Sequence, residues 1–387
     1  MMATVRVDVA PKMLEWAVRR VGWDEDTASQ KFPSLDAWLR GEKKPTLKQL
    51  QAFAKKTHAP FGQLFLDEPP VEEVPIPDMR TIGNQRLAEP SPDLLDTIYL
   101  CQLRQDWYRD YGEEVGLEEL PFVGAATTKS SVVDTAEAIR KELSFGVQQR
   151  NKFSTWEDAL RYLLDAIEGL GVLVMVNGVV GADTSRTLDP DEFRGFALAD
   201  SIAPLIFING ADTKAAQIFT LIHELAHLWL GSSVLSDATM ARKAHQPMEE
   251  WCNQVAAEVL VPIKDLRAEY AGQPDTDELQ RLARTFRVST LVVLKRIFDL
   301  GGMTWDDYQR RYQEEKDRVI AIFERQKEKS SGGDFYRTQR RRLSPSFIRA
   351  VYASTMSGET SFRDGYELLG TRSHETFMRL GKEVGPA

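Results

Sequence analysis

The chain of 387 residues is 42% hydrophobic and 28% charged, with a formal net charge of −9, which argues against a protein devoted to coating nucleic acid, whose phosphates demand a basic surface. It has no apolar run approaching the roughly 20 residues of a membrane span, and the opening MMATVRVDVAPKMLEW lacks the apolar core and cleavage site of a secretory signal. Cys101 and Cys252 are too few and too far apart for a disulfide framework, so a soluble chain of two or three domains in a reducing cytoplasm is expected.

Residues 1–68 read as a bundle of short helices, MLEWAVRRVG, DEDTASQKF, LDAWLRGE and TLKQLQAFAKKT, closed by FGQLFL. Pro45 and Thr46 mark a helix start, with Leu47, Leu50 and Phe53 on its buried face. With Trp38 and Gly41 placed before KKPTLKQLQAFA, the segment resembles an XRE-type helix-turn-helix domain, whose recognition helix would fall near Ser34–Leu39. That stretch carries Asp36 and no Arg or Lys before Arg40, while Asp24, Glu25 and Asp26 crowd the preceding helix. Residues 1–68 hold eleven basic and nine acidic side chains, and a net of +2 leaves two readings open, DNA binding and a docking or dimerisation module that keeps only the fold.

Four prolines and five acids in Asp67–Asp78, DEPPVEEVPIPD, cannot form a continuous helix and favour an extended linker. Residues 69–130 are therefore assigned as linker and helical connector, with a helix over Ser91–Gly112. A larger domain over 131–320 follows. Helices are expected over Asp134–Leu143 and Trp156–Leu170, then strands over Gly171–Asn177, Phe193–Ala199 and Pro204–Asn209. The last of these, PLIFIN, directly precedes the most informative helix, and reads equally as a substrate-binding edge strand or as a core strand.

Ala211–Leu230 reads as an amphipathic helix stopped by Gly231, and it contains HELAH, the HExxH spacing of zinc-dependent hydrolases. Residues four apart share a helix face, so His223 and His227 can aim ring nitrogens at one ion. Glu224 then reaches the attacking water rather than the ion and serves as general base. A buried face bearing these groups is costly unless they are paired or metal-bound. The metzincin continuation fails, because Leu230 and Ser233 stand where its Gly and third His belong. A carboxylate on the next helix, Met248–Pro262, is the better third ligand. Glu249 is the choice, with Glu250 and Glu258 as competitors, and Asn253 one turn later is a candidate partner for a ligand imidazole. His245, in the intervening loop, reads as a substrate-side or solvent residue, and His245, Tyr270 and several arginines are all chemically able to stabilise an oxyanion.

Farther on, Thr276–Gly301 looks like a second helix-turn-helix unit whose Leu291, Leu294 and Ile297 pack on the peptidase core. Its Arg281, Arg284, Arg287, Lys295 and Arg296 give it a basic surface. Tyr308–Lys329 reads as a charged helix broken by Ser330–Gly333, and residues 330–387 as a C-terminal helical module with Phe347, Val351, Tyr366, Leu368 and Leu369 as its core.

HELAH followed by EEWCNQVAAEVLVP, with PIPDMRT, DPDEFRGFAL and PLIFINGADTKAAQIFTLI upstream, resembles the ImmA/IrrE family of metallo-endopeptidases over about Pro75–Pro262. The resemblance implies His223, His227 and Glu249 as zinc ligands and Glu224 as the catalytic residue. It also implies a protein substrate, a helix-turn-helix repressor or toxin–antitoxin partner, in a stress or mobile-element setting. The expected fold is α+β and mainly helical, with a small sheet beside a zincin-like HExxH helix and an N-terminal helix-turn-helix bundle. The alternative is a regulator or antitoxin-like protein in which the peptidase fold mainly binds a partner.

Overall fold

Residues 5–79, 81–82, 85–86, 90–236, 246–327 and 340–385 are described by the computed structural model of the chain. They divide into two units, Met1–Pro75 with Leu87–Asp96, and Ile76–Arg86 with Thr97–Ala387. His245 and the Ser330–Gly333 break lie outside the described residues.

The first unit is built from α1 (Pro11–Arg20), α2 (Glu25–Lys31), α3 (Leu35–Leu39) and α4 (Leu47–Thr57), with a 3-10 turn at Phe61–Phe65. Proline in the first turn of α1, Asp24 accepting from Thr27 N, and a reciprocal Thr46–Gln49 capping box satisfy the open helix starts. Leu14, Trp38, Leu50 and Phe53 fill the core. Leu47, expected on the buried face of α4, is instead 38% exposed, because it opens the first turn of α4, ahead of Leu50 where the helix begins to meet the core.

In the second unit the sheet is small and mixed, set among helices. Its strands are β3 (Leu173–Asn177), β6 (Gly195–Leu198), β7 (Leu205–Asn209) and β8 (Val234–Leu235), in the order β3-β7-β6-β8. Between β3 and β6, β4 (Val179–Val180) and β5 (Asp183–Thr187) form a separate hairpin, and β1 (Thr81–Ile82) pairs with β2 (Gln85–Arg86). β7 runs parallel to β3 and antiparallel to β6, with Phe196 opposite Phe207 and their rings stacked at 5.0 Å. The edge-strand reading of PLIFIN is therefore corrected: β7 is central, hydrogen-bonded on both sides, and every residue in it is buried. A continuous apolar run, rather than an alternating one, is what a strand covered on both faces needs.

Helices surround the sheet: α5 (Pro92–Val115), α6 (Val132–Glu142), α7 (Trp156–Gly169), α8 (Lys214–Trp229), α9 (Pro247–Leu260), α10 (Ile263–Glu269), α11 (Thr276–Phe286), α12 (Thr290–Asp299) and α13 (Trp305–Lys327). α8 packs against α7, α9, β6 and β7, so every residue from Gln217 to Trp229 is buried. Thr213 caps its start by accepting from Ala216 N, and Gly231, at φ +66°, provides the left-handed residue that ends it. α11 and α12 bury Leu282, Phe286, Leu294 and Ile297 in the same core. The expected basic face of this pair is largely spent internally: Arg281 pairs with Glu278 and Glu269, Lys295 with Asp299, and Arg296 is buried against Glu258.

Three further helices, Pro345–Ser357, Phe362–Leu368 and His374–Val384, complete this unit. Phe347, Val351, Leu368 and Leu369 are buried as expected, while Tyr366 is half-buried. The half-buried Glu168 carboxylate at the end of α7 accepts from Ser346 N and Val174 N, tying this module to β3. None of the described helices is long and apolar enough to cross a membrane.

Candidate metal centre

α8 and α9 bring His223, His227 and Glu249 together, the one group of three such side chains among the described residues whose ligand atoms all lie within 4.8 Å of one another. The two Nε2 atoms are 3.0 Å apart, Glu249 Oε2 is 3.3 Å from His223 Nε2, and Glu249 Oε1 is 3.1 Å from His227 Nε2. Zinc bonds of about 2.0–2.1 Å at tetrahedral angles place ligand atoms about 3.3 Å from one another. The observed separations are thus close to three edges of such a tetrahedron.

Solvent does not serve these groups. Both histidines are fully buried and Glu249 is 3% exposed, and among the described residues both of its oxygens lack an aligned hydrogen-bond donor. Burying a carboxylate without donors is costly unless a cation compensates, so the donor set fits a divalent ion. Protonation agrees, since metal binding requires neutral imidazole and ionised carboxylate. Burial would raise the Glu249 carboxyl, but the nearness of His223 and His227 holds it at about 2. Burial lowers the His227 imidazole below its ordinary value, with Glu249 opposing. The position of Glu249 in the first turn of α9, behind Pro247, also sets its negative charge at the positive end of the helix dipole.

Glu224, adjacent to His223 on the buried part of α8, accepts a hydrogen bond of 3.0 Å from Ser236 Oγ through Oε2, leaving Oε1 without a partner among the described residues. Burial lifts its carboxyl to about 8, with His223 pulling it down and the Glu249 charge adding to the rise. A bound cation would pull it back toward the anion. Beneath it lies Gly195 of β6, where a Cβ would stand 2.8 Å from Phe207 O and from Thr220 Cγ2, and 3.3 Å from Glu224 Oε1. The close approach of α8 to the sheet leaves no room for a side chain. Ser236 and Gly195 belong to the site but escape sequence reasoning. Ser236 follows a two-residue strand too short to show a period, and Gly195 reads as one glycine among 25.

The remaining sequence candidates sit elsewhere or are not engaged. Asn253 lies one turn after Glu249, but its Oδ1 is buried without a hydrogen-bond partner among the described residues. Glu250 faces solvent beside Gln254, and Glu258 is at the far end of α9 with Arg296. Tyr270 is set among Gly302, Glu278 and Arg311.

Three guanidinium groups hold that far end. Arg140 donates to Glu258 O at 2.6 Å and Arg296 to Val261 O at 2.9 Å. The fully buried Arg150 donates to Val259 O at 2.7 Å, Phe286 O at 3.0 Å, Phe145 O at 3.2 Å and Leu260 O. The orphan carbonyls of α9 and the negative end of its dipole are thereby answered by cations, so the helix that presents Glu249 is held from behind.

No curated protein matches the chain. Residues 343–383 match the model of a domain of unknown function. Residues 167–298, which contain the sheet from β3 onward, α8 and α9, match a peptidase-family model described as the IrrE N-terminal-like domain, and it is to that metallopeptidase-like family that this part of the chain is similar.

Proposed function

We propose that the chain is a zinc-dependent endopeptidase in which His223, His227 and Glu249 hold the ion and Glu224 moves the proton. The observation that carries the reading is the trio of buried donor atoms 3.0–3.3 Å apart, supported by the family match over residues 167–298. Bound there, zinc supplies Lewis-acid activation of a water and of the scissile carbonyl. Glu224 takes the proton of the attacking water and passes it to the leaving amine. Ser236 orients the carboxylate for both transfers, and burial of all four side chains keeps bulk water from competing.

The substrate is a specific regulatory protein, such as a helix-turn-helix repressor or a toxin–antitoxin partner, met in the cytoplasm; the ImmA/IrrE resemblance supports this. The N-terminal unit keeps an XRE-like fold as a docking module. In it α3 exposes Asp36, Arg40 pairs with Glu42 at 2.8 Å, and Lys12 and Lys44 pair with Glu68 and Asp8, which favours a protein partner over DNA. Metal analysis of protein purified without added zinc tests the core of the reading. About one zinc per chain, lost in Glu249→Ala, is expected; a wild type that neither carries nor takes up zinc would overturn it.

A further inference from the structure

The outer edge of β8 is the sheet edge nearest the site, since Ser236, the residue after β8, holds Glu224 at 3.0 Å. A short stretch of the chain already covers it. Met79 N donates to Leu235 O and Leu235 N donates to Pro77 O, both at 2.9 Å. Asp78 is paired with Leu235 in parallel, a register that sets Met79 alongside Ser236. Ile76 is buried at 7% exposure and anchors the stretch, while Pro77 and Asp78 are exposed. The backbone pairing is short beside the five paired residues joining β3 to β7, and it is this pairing that an incoming strand must replace. Proline suits an edge strand, where its missing N–H costs no ladder bond. An edge that accepts an extended segment through its backbone accepts others of the same form, because main-chain pairing is indifferent to side chains.

We infer that Ile76–Met79 is an internal strand occupying the peptide-binding edge of β8, and that an extended, unstructured segment of the substrate binds by displacing it. This rests on the peptidase reading for the meaning of the edge, and not for the displacement itself. The occupied state is the resting state, and any event that withdraws residues 76–79 activates the site.

Two variants test it in the full chain carrying Glu224→Gln, so that binding is read without hydrolysis. Met79→Pro deletes the N–H that donates to Leu235 O, and Ile76→Asp removes the anchor. The readouts are amide exchange at Leu235, zinc content, and fluorescence anisotropy of fluorescein-labelled β-casein, an unfolded protein. At least tenfold faster exchange at Leu235 and at least fivefold tighter casein binding is expected in either variant. A nine-residue peptide of the sequence of residues 74–82 should compete with the casein. Faster exchange with unchanged casein binding would overturn the proposal, and so would failure of both variants to accelerate exchange. Tighter binding in a chain that never holds zinc would support the displaced strand while sinking the peptidase reading, so the two fail separately.

Discussion

Replacing Arg150 by Lys separates the geometry of the clamp on α9 from its charge. Burial lowers the guanidinium to about 9, so it is still a cation at neutral pH. Lysine keeps the cation but offers one ammonium in place of a planar fork of five donors, and it can serve one or two of the four carbonyls that Arg150 reaches. Losing two bonds from a charged donor, at about 1.5 kcal/mol each, costs about 3 kcal/mol, with stranded buried carbonyls adding to it. At about 2.1 cal/mol/K of unfolding entropy per residue, a unit of roughly 300 residues loses about 1.6 °C of Tm per kcal/mol, giving a fall of roughly 5 °C. Urea unfolding and calorimetry of the metal-free protein measure both quantities. A loss under about 1 kcal/mol, in the range of an ordinary surface change, would mean that the carbonyls do not depend on Arg150 and that the clamp reasoning is wrong.

Glu224→Gln is expected to keep zinc at wild-type stoichiometry while hydrolysis of the first repressor found to be cleaved falls at least about a hundredfold; retained cleavage, followed by mass spectrometry, would remove Glu224 from proton transfer. Gly195→Ala should destabilise by about 1–3 kcal/mol through overpacking, because its Cβ meets a backbone oxygen that cannot swing aside, and an unchanged urea midpoint would refute that contact. In the metal-free protein the contribution of His227 to stability should fall as pH drops below about 6.5, against an opposite contribution from Glu224, whose carboxyl, raised to about 8, holds its proton in the fold first. His227 has a lowered value in the fold, so the unfolded chain binds the proton first and the penalty grows until the folded imidazole also titrates. The slope of Tm against pH from 7 to 5 should therefore change in His227→Asn, and a slope unaltered by that substitution would contradict this.

The helical parts of the site were legible because their information is local. HELAH fixes a shared face through the i, i+4 spacing, and Glu249 stands near the start of a helix marked by Pro247 and Pro262. What the strands do was not local. PLIFIN announces a strand, but its central place depends on partners 32 and 9 residues away, as the pairs Leu173 with Leu205 and Ala197 with Ile206 show for its two sides, and not on its own period. β8 and the stretch beside it are too short to carry a pattern at all. The basic residues of α11 and α12 looked available because a sequence lists charges without their partners, and Arg296 turned inward to Glu258.

The burial of the donor trio has a kinetic side. With His223 and His227 at 0% exposure and Glu249 at 3%, a zinc ion held between them would be shielded from a chelator in solution while the fold is closed. Release must wait for a local opening, so the rate of zinc loss should become independent of chelator concentration once the chelator is in excess. Saturation of that rate would report the opening frequency of the α8–α9 pair directly, turning metal exchange into a clock for the motion that any substrate must also await.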